Sequence, residues 1–473
     1  MQVSNVILKA VRSTPRGKAI LIAISSIILC SMAYYNTFPY VYNTDTAAYM
    51  EAAYTGKAGD DRPILYGLFI FLTSANYSLW LVIFSQAILV SYSLLVVFKT
   101  FVSKSSLQWM ANTYGLFFLS YVVFVSFLMS ASFQVSWLMP DVFTAISFLC
   151  LISILFLKDI KSFDFIASAL IWVLSLAMHN SNSYICLLVL TLILFMLAIL
   201  RFRKRSQPFH PGRVFLAISL IVLSNLFLAS IHYIYGKSFK GTRGGIVFFM
   251  GNLVDMKVIK PYLDENCGSK NYQFCKYKDN ISPNFLWDEK SPLYKTGGWI
   301  KNEDEYKEII KDILTTPKYL REVVAKSLLL SLKQFFLFET GEAPVPWNKV
   351  HGVMFRFHKN ETDFLKYYNA RQNQGTLDFN LINFAQRVIV ATLLMVYGYM
   401  IIRKKGTPAT RILICFVLLS LLVNASFCAT FSGAFPRYQS RVIWLLPLPL
   451  FIFFIERCDR MIIPLPTMNE DGI

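Results

Sequence analysis

Residues Ala19–Tyr40 read AILIAISSIILCSMAYYNTFPY, an apolar run without one charged side chain. As a helix rising 1.5 Å per residue, it crosses the roughly 30 Å hydrocarbon core of a bilayer. Comparable runs recur at Tyr77–Phe98, Leu107–Leu128, Val142–Leu157, Phe163–Met178, Ser183–Leu200, Val214–Tyr235, Leu381–Ile402, Ile412–Thr430 and Val442–Ile455. About ten spans are expected, with polar neighbours completing the two short ones, Val142–Leu157 and Phe163–Met178. The 473 residues are 55% hydrophobic and 16% charged, with mean hydropathy +0.48. That balance excludes an ordinary soluble protein and predicts an all-α polytopic membrane protein.

Lysine and arginine set the expected orientation. They cluster before the first span (Lys9, Arg12, Arg16, Lys18) and in alternate connections: Lys99 and Lys104; Lys158 and Lys161; Arg201, Arg203, Lys204, Arg205 and Arg213; Arg403, Lys404, Lys405 and Arg411. Arg457 and Arg460 follow the last span. With ten spans all of these fall on one side, the cytoplasm, and both termini are cytoplasmic. The net charge of +18 is then largely topogenic and favours anionic lipid headgroups. It calls for no nucleic acid. No small-residue cleavage pattern follows Ala19–Tyr40, so it reads as a retained helix and not as a signal peptide.

Three zones follow: an N-terminal module of seven helices (1–235), an extramembrane insert of mixed character (236–380), and a closing module of three helices with a cytoplasmic tail (381–473). Within the insert, Glu303–Leu314 and Lys318–Phe338 read as helices parted at Pro317. The second carries Arg321, Glu322, Lys326 and Lys333, which predicts an amphipathic helix lying at the interface. Cys267 and Cys275 share the insert, and an oxidising compartment would pair them. No third Cys or His lies beside them, so a metal site is disfavoured.

On the side away from the basic clusters, four polar groups stand out. The first loop (42–66) carries NTDTAAYMEAAYTGKAGDDRPILY from Asn43 to Tyr66, with Asp45, Asp60, Asp61 and Arg62. Met139-Pro140-Asp141 precedes the fourth span, His179-Asn180-Ser181-Asn182 joins the fifth and sixth, and Arg437-Tyr438-Gln439-Ser440-Arg441 precedes the last. Each also has a plain structural reading. Asp141 can cap a helix, His179 can be a turn residue, Arg437 and Arg441 can bind lipid headgroups, and Asp60 and Asp61 can pair with Arg62 and Lys57. Asp45 resists such a reading, because no basic residue is near it in sequence.

These groups suit sugar transfer from a lipid phosphate: a carboxylate takes the acceptor's proton, and arginines hold the departing phosphate. At Asp45-Thr46, at Arg62-Pro63-Ile64-Leu65-Tyr66, at Pro140-Asp141 and at Arg437-Tyr438 the chain resembles the GT-C superfamily of membrane glycosyltransferases. It is most similar there to the protein O-mannosyltransferase and aminoarabinose transferase branch. The resemblance implies a many-helix fold, Asp45 as catalytic residue and a polyprenyl-phosphate-sugar donor. It implies an envelope glycan, lipid or protein as acceptor. It also implies a multi-pass protein of the bacterial inner membrane with a periplasmic insert. Asp61, Arg62, Tyr66, Asp141, His179, Arg437, Tyr438 and Arg441 are the candidate binding residues. No metal motif or required cofactor is visible, although the resemblance leaves room for a divalent cation on the first-loop carboxylates. Two other functions fit the class. An O-antigen-type polymerase or ligase would use Arg243, Arg356, Arg371, Arg437 and Arg441, and a lipid flippase would need charges at mid-membrane depth.

Overall fold

The computed structural model describes residues 15–57, 59, 61–101, 111–236, 239, 241–242, 244–342 and 361–462. Lys9, Arg12, Asp60, Lys104, Arg243 and Arg356 lie outside them. Among the described residues the protein is helical, with no strand beyond a single parallel bridge between Tyr40 and Trp137. Six helices are long and apolar enough to cross a membrane: Pro15–Asn36 (bent at Cys30), Leu79–Phe101, Asn180–Phe202, Pro211–Gly236, Asn380–Ile402 and Pro408–Phe431. Shorter apolar helices include Leu65–Ser74, Tyr114–Phe127, Val142–Phe156 and Phe163–Met178. Large apolar side chains such as Leu170, Phe195, Leu226 and Met395 are exposed along these helices. In water that would be an aggregating surface; against lipid it is the expected exterior.

Inside, many polar side chains find partners, as an apolar surround favours. Thr144 donates to Asn182 Oδ1 at 2.7 Å, and Asn182 Nδ2 donates to the Ser175 carbonyl at 2.9 Å. At one end of the bundle Lys99 pairs with Asp164, and Arg213 donates to the carbonyls of Ile154, Leu157 and Lys158 at 2.8–3.2 Å. Thr407 caps Pro408–Phe431 by accepting from Thr410 N–H, and both hydroxyls also donate to Glu456. Lys99 and Arg213, from different alternate connections, therefore lie at this end.

Three expectations need correction. The last span, expected as Val442–Ile455, is two helices, Arg437–Ile443 and Leu448–Ile462. Pro447 and Pro449 lack an amide hydrogen, and the ring of Pro447 blocks the carbonyl four residues earlier, so the chain turns through Trp444–Pro447. The first loop is largely a helix, Asn43–Thr55, closed by Gly56 in the left-handed region (φ 61°). The insert is helical among its described residues rather than mixed.

The insert has a hydrophobic core of its own, built from Leu253, Ile259, Tyr262, Phe274, Leu293, Tyr306, Ile309, Ile313 and Val323. Helix Glu303–Thr315 shows why. Tyr306, Ile309, Ile310 and Ile313 fall on one face and are buried, while Glu303, Asp304 and Glu305 fill the first turn, where the helix dipole favours anions. Glu305 also accepts from the amides of Gln273 and Phe274, beside the Cys267–Cys275 disulfide. Helix Pro317–Phe335 carries too much charge to count among the spanning helices; it packs against Pro408–Phe431.

Candidate functional site

The end of the bundle away from the Lys99–Asp164 pair is knitted by backbone and amide contacts that fix where the acids sit. Tyr40 N–H donates to the Ser136 carbonyl at 2.8 Å, and Leu138 N–H returns a bond to the Tyr40 carbonyl at 2.9 Å. Thr46 Oγ1 donates to the Leu138 carbonyl at 3.0 Å while accepting from Tyr42 N–H. Gln86 Nε2 holds the carbonyls of Val135 and Trp137. From the other side Gln372 bonds both backbone groups of Val41 and the side chain of Asn36. The first-loop helix and the segment before Asp141 are thus one rigid unit. Gly67 presses Leu65–Ser74 against it: a Cβ there would stand 2.8 Å from the Tyr49 carbonyl oxygen.

A cavity of about 540 Å³ opens beside this unit, within the range that buries a small organic ligand. Asp45, Asp61, Arg62, Asp141, His179, Arg437 and Tyr438 all line it. Asp45 Oδ1 lies 3.2 Å from Arg62 Nη2 and its Oδ2 lies 3.0 Å from Arg437 Nη1. Arg62 also grips Asp61 through Nε at 2.9 Å and Nη2 at 2.5 Å, and donates to the Asp45 carbonyl. The Arg437 guanidinium lies over the rings of Tyr42 and Tyr438, 5.1 and 5.0 Å from their centroids. Its backbone N–H donates to Glu342, which Tyr42 also contacts.

Burial alone would raise the Asp45 pKa. The charges of Arg437 and Arg62 outweigh it and hold the carboxyl below its usual range. Asp45 is therefore an ionised group clamped between two guanidiniums. His179 caps Asn180–Phe202, its Nδ1 accepting from Ser181 N–H and engaging the Ser181 hydroxyl at 2.8 Å. Burial, reinforced by the charge of Arg441, pushes its pKa down to about 4, so the ring is neutral at pH 7.

Asp141 does not cap its helix, although it sits at the cap position. Its carboxylate instead meets Arg441 Nη1 at 3.3 Å, both groups being nearly sealed from solvent. Arg441 lies behind the cavity wall, with Nη2 donating to Asn424 Oδ1 at 2.9 Å and lying 3.2 Å from Cys428 Sγ; it orients Asp141 without lining the cavity itself. Tyr66 is also absent from the lining. Its hydroxyl donates to Gln86 Oε1 at 2.7 Å and its ring packs among Tyr49, Phe69 and Phe143, because Leu65–Ser74 turns that face inward. Arg371 stacks on Tyr35 and does not line the cavity.

Pro63, Met139, Asn180 and Ser181, from the motifs named in the sequence, also line the cavity; its aromatic wall and its insert side were not singled out there. Tyr184, Phe249, Phe427 and Phe431 form an apolar wall, with Tyr184 stacked on Phe427 at 6.0 Å. From the insert come Gly245, Ile246, Phe248, Trp287 and Glu303. Gly244 lets the insert's first turn approach: a Cβ there would stand 2.9 Å from Asp61 Cα. Among the described residues no group of three or more His, Cys, Asp or Glu is placed to hold a metal ion. Compared with family models, curated proteins and solved structures, the chain matches none.

Proposed function

We propose that the chain is a GT-C-type membrane glycosyltransferase, moving a sugar from a polyprenyl-phosphate donor to an acceptor in the cell envelope. The observation that carries this reading is the meeting of Asp45, Arg62 and Arg437 in one cavity that also has an apolar wall. Under the charge bias of the sequence, that cavity faces the periplasm of a bacterial inner membrane, with both termini cytoplasmic and about ten spans.

In this reading the arginines bind the donor phosphate, and the apolar wall takes the start of its lipid chain. The acceptor hydroxyl attacks the anomeric carbon, the bond from that carbon to the phosphate oxygen breaks, and polyprenyl phosphate leaves with its electron pair. Asp45 accepts the hydroxyl proton. The resting ion pairs give this an order. Asp45 is a poor base while two guanidiniums hold it; when phosphate draws on Arg437 and Arg62, that attraction weakens and its basicity rises. The neutral His179 borders the reacting groups as a hydrogen-bonding partner. Asp141, held by Arg441, supplies a fixed negative charge near the developing positive charge at the sugar ring.

Glycan, lipid A and glycoprotein profiles of cells carrying Asp45→Asn test the proposal. Loss of one envelope product, with the protein still in the membrane, is expected. An unchanged profile sinks the assignment of Asp45.

A further inference from the structure

We infer that the insert contributes a saccharide-binding wall to the cavity, built on Trp287 and Glu303, and that the acceptor is therefore a glycan. This rests on the reading of the cavity as a sugar-transfer site. Trp287 lines the cavity and is 53% exposed, so its ring is open to a ligand. Phe248 and Trp299 back it, with ring centroids 6.2 and 6.0 Å away. Among the described residues its indole N–H has no hydrogen-bond partner. Glu303 lines the same cavity. Lys307 holds its Oε1 at 2.6 Å, and its second oxygen has no partner among the described residues.

A pyranose ring presents a face of C–H groups rimmed by hydroxyls. The electron-rich face of an indole attracts those C–H hydrogens, its N–H can donate to a ring hydroxyl, and a carboxylate accepts from two hydroxyls at once. A lipid tail would use neither Glu303 nor the indole N–H, and the cavity already offers it the Tyr184–Phe427 wall. The aromatic surface is also held in place before any ligand arrives. The Trp287 backbone N–H donates to the Asn284 carbonyl at 3.1 Å, Ser282 donates to Asp288 at 2.7 Å, and Tyr294 donates to the Leu286 carbonyl at 2.9 Å. Leu286 rests on Gly251, where a Cβ would come within 2.7 Å of it. A side chain ordered in advance loses little entropy on binding.

The test is saturation-transfer NMR on the full chain in lipid nanodiscs, with tetrasaccharides of a neutral hexose, an N-acetylhexosamine and a uronic acid as probes. Polyprenyl phosphate binding is measured in parallel. At least one saccharide should give ring-proton signals with the native chain. Trp287→Ala should weaken its binding about tenfold, Trp287→Phe should restore part of it, and Glu303→Gln should weaken it while polyprenyl phosphate binding stays within about twofold. Binding of none of the three, or equal binding by the native chain and Trp287→Ala, overturns the inference. Saccharide binding without any polyprenyl phosphate binding leaves this wall standing and removes the transfer reading instead.

Discussion

His179 should make the fold lose stability as pH falls from 7 to 5. An unfolded histidine titrates near 6.5, whereas the buried ring titrates at about 4. A depressed folded pKa means that stability is complete above 6.5 and is lost as pH falls toward 4, because the unfolded chain takes up the proton first. Between pH 7 and pH 5 the linkage relation gives a loss of about 2 kcal/mol, and about 3 kcal/mol is the limit once pH falls below both values. These are upper values, since the ring borders the cavity and water there screens part of the effect. His179→Asn keeps a side-chain acceptor at the helix cap but removes the titration. Circular dichroism during denaturation by SDS in mixed micelles reads the difference at the two pH values. The native protein should lose about 2 kcal/mol more than His179→Asn on going to pH 5. Equal losses in the two proteins would mean that the pH dependence arises elsewhere and not from His179.

Arg441 and Asp141 form a buried pair, so Arg441→Met should cost about 3–5 kcal/mol by stranding the carboxylate. Adding Asp141→Leu should recover much of that loss in the same assay; simple additivity of the two changes would contradict the pairing. Gly67→Ala places a methyl against the Tyr49 carbonyl and should cost about 1–3 kcal/mol, whereas Gly245→Ala, where a Cβ meets open space, should be milder. Thermal midpoints read from the reactivity of the buried Cys428 thiol would separate the two.

The membrane class was written in the apolar runs, and basic residues of alternate connections do meet at one end of the bundle, as Lys99 and Arg213 show. Local sequence was blind to partners. Nothing near Asp45 announces a cation, yet Arg437, 392 positions later, holds it. Asp141 has the residue type and position of a helix cap, and only the approach of Arg441 shows where its charge goes. Arg437 and Arg441, four apart on one short helix, looked equivalent; one lines the cavity and the other lies behind it. Tyr66 read as part of a loop motif, but the apolar stretch after it makes a helix and carries the ring into the core. The broken last span was foreshadowed by Pro447 and Pro449. Trp287 and Glu303 sit in a segment without a motif; an exposed tryptophan beside an acidic helix start was the available hint.

Asp45 as the base of a sugar transfer, with the arginines holding the phosphate, is open to a direct kinetic test. Phosphorus NMR of the protein in liposomes, supplied with a polyprenyl-phosphate-linked sugar and an envelope glycan acceptor, follows release of polyprenyl phosphate directly. The native chain should release it, Asp45→Asn should slow release by about 10²-fold or more while donor still binds, and Arg437→Gln should weaken donor binding. Release by Asp45→Asn at the native rate would exclude Asp45 as the base.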